Sequence, residues 1–155
     1  MKCRLIVIAI TLIGINTSNA QNTNNDSANV AKTLKELLKI CRTVDFTDPQ
    51  TTSLGTFYKA APYIIYRGDD KNRAWKDFAN YNNEDEKTGV DNVCLKINGT
   101  INQDTNYVIT KYETGTESEG KWHILKVEYF KKGIKKQMAF AFLFVKGRYG
   151  LGDID

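Results

Sequence analysis

Among 155 residues there is one histidine, His123, and there are three cysteines, Cys3, Cys41 and Cys94. That inventory assembles no zinc site of recognisable spacing, so no metal is expected. No catalytic or cofactor motif can be read along the chain, and no cofactor is expected either. Internal repeats and heptads are absent, and nothing marks a second domain. The two prolines, Pro49 and Pro62, fall in a loop and at the start of an extended run. A long apolar run is also missing. Leu5–Ile15 is too short for a bilayer core, which needs roughly 20 residues.

That short run has another meaning. Lys2 and Arg4 precede it, and Ser18-Asn19-Ala20 follows as a small-x-small site. Together they read as a secretory signal peptide over residues 1–20, cleaved after Ala20. Cys3 stands ahead of the apolar run, not at its end where a lipid-attachment cysteine would lie. The expected product is a secreted or periplasmic protein with no transmembrane segment, of a length that suits one domain and one core. The chain holds 22 basic and 18 acidic side chains. Without Lys2 and Arg4 the excess falls to two positive charges, too few to argue for nucleic acid. Export permits a disulfide between Cys41 and Cys94, but each falls on an apolar helical stripe, so two buried thiols fit equally well.

Residues 21–27 are polar and rich in asparagine, which predicts a disordered start to a single domain over 28–155. Val30, Leu34, Leu37, Leu38, Cys41 and Val44 then recur at helical spacing, with Asp26 or Ser27 as cap. Asp45–Gly55 reads as loop, and Tyr63–Tyr66 as a strand. Ala74, Trp75, Phe78 and Tyr81 predict a second helix. Val90, Val93, Cys94, Ile97 and Ile101 predict a third, of about ten residues and stopped by Asn98-Gly99. The solvated run Glu84–Lys87 lies between these two.

From Tyr107 the period changes to two. Tyr107–Thr114, Trp122–Phe130 and Gln137–Val145 read as antiparallel strands of a meander, joined at Glu119-Gly120 and Lys132-Gly133. Lys146-Gly147 then turns into a short last strand. Met138, Phe140, Phe142 and Phe144 share one face of their strand. Ala139, Ala141, Leu143 and Val145 share the other, so this strand is expected to be central, with a helix approaching the alanines. The fold class is α+β, with N-terminal helices packed on a curved antiparallel sheet.

The LKELLKICR helix, the YIIYRG, WHILKVEYF and QMAFAFLFV strands and the GRYGLGDID tail give an order that resembles the nuclear-transport-factor-2-like and cystatin-like cone folds. The tail also looks like the C-termini of small exported bacterial proteins of unknown function. The resemblance is architectural. It implies a sheet wrapped around helices, and it covers enzymes, ligand binders and scaffolds alike. Enzymes of this kind use an Asp–His or Asp–Tyr pair inside the cone. Here the resemblance points to His123 as a base, with Asp77 or Tyr112 as partner.

Aromatic residues are plentiful. Tyr63, Trp75, Phe78, Tyr107 and Trp122, with Phe140 and Phe142, are the candidate lining of a ligand pocket, or simply core. Arg67-Gly68-Asp69 spells an adhesion tripeptide, better read as a helix cap beside a paired arginine. Glu113, Glu117 and Glu119 form an acidic hairpin without the alternating ligands of a calcium loop. Lys131, Lys132, Lys135 and Lys136 crowd another hairpin, where they are expected to protect a sheet edge. Asn98-Gly99-Thr100 is a glycosylation sequon if the secretory pathway is eukaryotic. The leading functional expectation is an exported, non-enzymatic module that binds a small ligand or a protein partner through the open end of the sheet. A cone-fold enzyme and a factor binding proteins through its charged hairpins are the alternatives, and a homodimer is open.

Overall fold

A computed structural model of the chain describes residues 18–42, 57–66 and 77–155, with side chains from Asn25 onward in the first of these. The leader up to Thr17, Val44, the loop 45–55, Arg67-Gly68-Asp69 and Trp75 lie outside the described residues. Helix α1 spans Ser18–Arg42. A 3-10 helix follows over Phe57–Tyr63, then α2 over Glu84–Thr100 and four strands. These are β1 (Tyr107–Glu117), β2 (Gly120–Lys131), β3 (Ile134–Val145) and β4 (Arg148–Ile154). The strands pair in chain order as one open antiparallel sheet, preceded by the helices. This is the α+β arrangement expected. Among the described residues no helix is long and apolar enough to cross a membrane.

The sheet face carrying Leu125, Val127, Phe140 and Phe142 is sealed by α1 and α2. From α1 come Val30, Leu34, Leu37, Leu38 and Cys41, and from α2 Val90, Cys94 and Ile97, all fully buried. Each such aliphatic or aromatic side chain contributes about 1.5–3 kcal/mol on leaving water. Cys41 and Cys94 form a disulfide with Cα atoms 4.7 Å apart, tying the end of α1 to the middle of α2. Arg42 closes the same end. Its guanidinium donates to the carbonyls of Asn102, Gln103 and Thr105 and lies over the Tyr107 ring.

Several elements differ from their sequence reading. Residues 21–27, expected to be disordered, continue α1 toward Ser18, so neither Asp26 nor Ser27 is its cap. Packing further along the helix supports this polar turn, and Asp26 is fixed by Tyr149. The expected strand at Tyr63–Tyr66 shrinks to Ile64 and Ile65, which bridge Leu151 and Phe78, while Tyr63 ends the 3-10 helix. The helix expected through Phe78 and Tyr81 is not formed over 77–83, because Phe78 pairs with Ile65 as extended chain. Helix α2 begins at Glu84, six residues ahead of Val90. Asn83 accepts from the amides of Asp85 and Glu86 and caps it, and Glu84, Asp85 and Glu86 suit the positive end of its dipole.

Two register shifts shape the inner face. One between Ile109 and Lys111 lets Tyr107, Ile109 and Tyr112 all turn toward the helices. The other, opposite Ala141/Phe142, does the same for Tyr149, Leu151 and Ile154. Such bulges change which residues of a strand share a face.

The alanine face of β3 is covered by side chains, not by the expected helix. Ile65, Trp122, Leu143 and Val145 cluster there with Phe78. The approach is close. A Cβ on Gly150 would lie 2.6 Å from the Phe78 ring and 2.7 Å from Ile65, and one on Gly152 would lie 2.8 Å from Trp122. Phe144, on the aromatic face expected to line a core or the wall of a cavity, is 56% exposed near the end of its strand.

Two stability measurements check this account. Replacing both disulfide cysteines by alanine should cost about 4 kcal/mol in denaturant unfolding, from chain entropy restored over a 53-residue separation. Gly150→Ala should cost about 1–3 kcal/mol by overpacking. Gly115→Ala, with nothing within 4 Å of the added carbon, should leave the unfolding midpoint in place or raise it; equal losses in the two glycine variants would refute the packing argument.

Candidate functional site

The sheet has two ends of different character. At one, the β1–β2 and β3–β4 turns meet the N-terminal half of α1 around His123. This histidine is 3% exposed and stands on the helix-covered face of β2, opposite Thr114 of β1 and Phe142 of β3. The Tyr112 Oη is 2.7 Å from its Nδ1, and the two share a hydrogen bond. Tyr149 meets the imidazole edge to face, with ring centres 4.9 Å apart. Its hydroxyl donates to Asp26 Oδ1 at 2.6 Å, and Lys121 Nζ lies 3.7 Å from the other carboxylate oxygen.

Burial sets the protonation of this group. It holds His123 below the ordinary imidazole value of 6.5; Asp26 opposes the shift and Lys121 adds to it. Burial likewise raises both phenols, helped at Tyr149 by its bond to Asp26 and at Tyr112 by the Asp26 charge. A neutral imidazole among protonated phenols, with one carboxylate whose charge reaches all three, can accept a proton or hold a hydrogen-bonding ligand.

Asp26, Asn29, Lys121, His123, Phe144 and Tyr149 line an open cleft of about 460 Å³. A second cleft of about 370 Å³, with Lys32, Glu36, Tyr63 and Arg148, shares Asn29, Phe144 and Tyr149 with the first. The exposed Phe144 ring stands between them, 4.9 Å from Tyr149. A third hollow, about 290 Å³, lies between α2 and β4, and two of its charged groups are engaged within the fold. Lys96 donates to the Ile154 carbonyl and Glu86 accepts from the Asn80 amide.

The structure brings His123 and Tyr112 together and separates Asp77 from them. Asp77 pairs with Lys146 and accepts from the Phe78 amide. The candidate pocket aromatics are dispersed. Phe140 and Phe142 are sealed in the core, Phe78 and Trp122 lie on the opposite face, Tyr107 is beneath Arg42, and Tyr63 alone reaches the clefts. Asp26 and Tyr149 escaped the sequence reading. The signal for Tyr149 was its place in a terminal strand; Asp26 gave none beyond its capping chemistry.

Other motifs resolve structurally. Asn98 of the sequon sits in α2 and donates its amide to the Cys41 carbonyl. Glu113 pairs with Lys111 and Lys126, which hold its carboxyl below the usual range. Among the described residues no group of three histidine, cysteine, aspartate or glutamate side chains is placed to hold a metal ion.

His123 gives a pH test. Its folded form prefers the neutral ring, so the stability it contributes is complete above about pH 6.5 and is lost as pH falls through the lowered folded value. Thermal unfolding scanned downward from neutral pH should show the midpoint falling in that interval, and His123→Gln should flatten the slope there. Asp77 and Glu113, held below their ordinary ranges, lose their contributions in more acidic solution. An unchanged slope in the variant would remove His123 from the account.

Compared with protein-family models, with curated proteins and with solved structures, the chain matches none.

Proposed function

We propose that the protein is an exported binding module of the cone type, whose ligand seats in the paired clefts around Phe144. The observation that carries this reading is the exposed Phe144 ring between two continuous hollows walled by Tyr149 and Asn29. An aromatic platform beside three carboxylates (Asp26, Glu36 and Glu119), two ammonium groups and a guanidinium suits a small molecule with one apolar face and several hydrogen-bonding groups, such as a sugar-like ligand. The Cys41–Cys94 disulfide supports export, since such bonds persist in oxidising compartments. Cleavage after Ala20 would leave α1 to begin at Gln21, ahead of Asp26.

A second reading rests on the 2.7 Å contact between Tyr112 and His123. With His123 as base and Tyr112 orienting it, the same cleft would hold a substrate. His123→Ala separates the two. A binder keeps most of its affinity, whereas an enzyme loses most of its turnover.

The cleft itself is tested by amide chemical-shift mapping against a library of small polar and aromatic fragments. Hits should perturb Asn29, Lys121, Phe144 and Tyr149, and Phe144→Ala should weaken them about tenfold. Fragments clustering between α2 and β4 instead would move the site there and end this assignment.

A further inference from the structure

The opposite end of the sheet carries a different surface. The turn joining β2 to β3 reads Phe130-Lys131-Lys132-Gly133-Ile134-Lys135-Lys136. The lysines were expected to guard a sheet edge, but β2 and β3 are the two central strands and the edges are β1 and β4. Edge protection therefore does not explain them. Phe130 and Ile134 are 62% and 59% exposed, one on each face of the hairpin. Two apolar side chains at the very tip of a hairpin, ringed by lysine, leave an unburied apolar surface that the fold does not use.

The charges are partly committed. Lys131 donates to the Gly99 carbonyl at the end of α2, and Lys135 pairs with Glu128 at 2.7 Å. Glu128 is the single carboxylate on either strand. Among the described residues the side chains of Lys132 and Lys136 make no hydrogen bond or ion pair. Lys132 and Gly133 take positive φ, 52° and 75°, which makes a tight two-residue turn and pushes the tip outward. Lys39 and Arg42, at the end of α1, lie toward the same end, since Arg42 covers Tyr107 and Tyr107 pairs with Tyr129.

We propose that this hairpin tip docks the protein on an anionic lipid bilayer, with Phe130 and Ile134 entering the headgroup layer and the lysines meeting lipid phosphates. Charge complementarity selects the occupant. A second copy meeting tip to tip would set lysine against lysine. A soluble polyanion would satisfy the lysines but leave the two apolar side chains in water. A bilayer takes both, because lysine is attracted to the surface while apolar side chains partition below it. The cleft at the far end then faces away from the membrane, so this inference does not depend on the proposed ligand site.

The test is co-sedimentation of the mature protein with vesicles of phosphatidylcholine alone and of phosphatidylcholine with phosphatidylglycerol. Binding should require phosphatidylglycerol and weaken with salt. Lys132→Glu with Lys136→Glu should lower it by at least about tenfold, from two surface charges reversed. Phe130→Ser with Ile134→Ser should lower it several-fold at unchanged charge. All four side chains are at the exposed tip, so circular dichroism and thermal unfolding should match the parent. No sedimentation with the anionic vesicles at low salt overturns the proposal, as does equal sedimentation with neutral ones. So does a serine variant that binds as well as the parent, and heparin binding by the parent in its presence would then mark the tip as a general anion site.

Discussion

One apolar sheet face has to be hidden from water, and the rest of the architecture follows from how that is done. Leu125, Val127, Phe140 and Phe142 stand on neighbouring central strands, and no strand of the sheet folds back over them. Two helices supply the cover, and a covalent bond joins them at Cys41 and Cys94. The bond lies toward the Tyr107 end of the molecule, where Arg42 also gathers three carbonyls. At that end α1 is held by a disulfide, a guanidinium and a packed stripe. At the other it is held by the Tyr149–Asp26 bond, the Lys121 contact and fewer apolar groups. Rigidity at one end and open clefts at the other are two results of the same cover.

Those features that depend on periodicity alone were legible in the sequence. The stripe from Val30 to Cys41 defines the packed part of α1, the change to alternation at Tyr107 marks where the sheet begins, and the turns fall near the glycines that separate the strands. Features set by tertiary pairing were not. The Phe78 run has helical spacing, yet Ile65 recruits it as extended chain. The acidic run Glu84–Lys87 has no apolar stripe, yet the Asn83 cap starts α2 there. The site depended on the least legible feature of all. Strict alternation in β1 puts Tyr112 on the face opposite Tyr107 and Ile109, away from His123 if those two face the core. The shift between Ile109 and Lys111 moves it back. The Tyr112–His123 bond thus rests on a bulge that leaves no mark in composition.

Near-balanced net charge hides an uneven distribution. The clefts at the His123 end set Asp26, Glu36 and Glu119 against Lys32, Lys121 and Arg148, whereas the β2–β3 tip concentrates four lysines against one glutamate. Net charge speaks to solubility and non-specific attraction, and says little when the two ends differ in this way. The same contrast appears in the apolar groups. Phe144 is exposed beside a hollow, and Phe130 and Ile134 are exposed on a point.

The strand order has a consequence for assembly. Every pairing in the sheet joins chain neighbours, so three hairpins can close with short loops and little entropy cost. The Tyr149–Asp26 bond instead spans 123 residues. The N-terminal half of α1 is held by this bond, the Lys121 contact and few apolar groups, so it is the part of the helix that local unfolding would release at lowest cost. Fraying of that half would bare His123 and widen both clefts while the disulfide keeps the remainder of the helix seated. The entrance of the cleft would then open and close by local melting of a helix end, with no hinge between domains and no movement of the sheet.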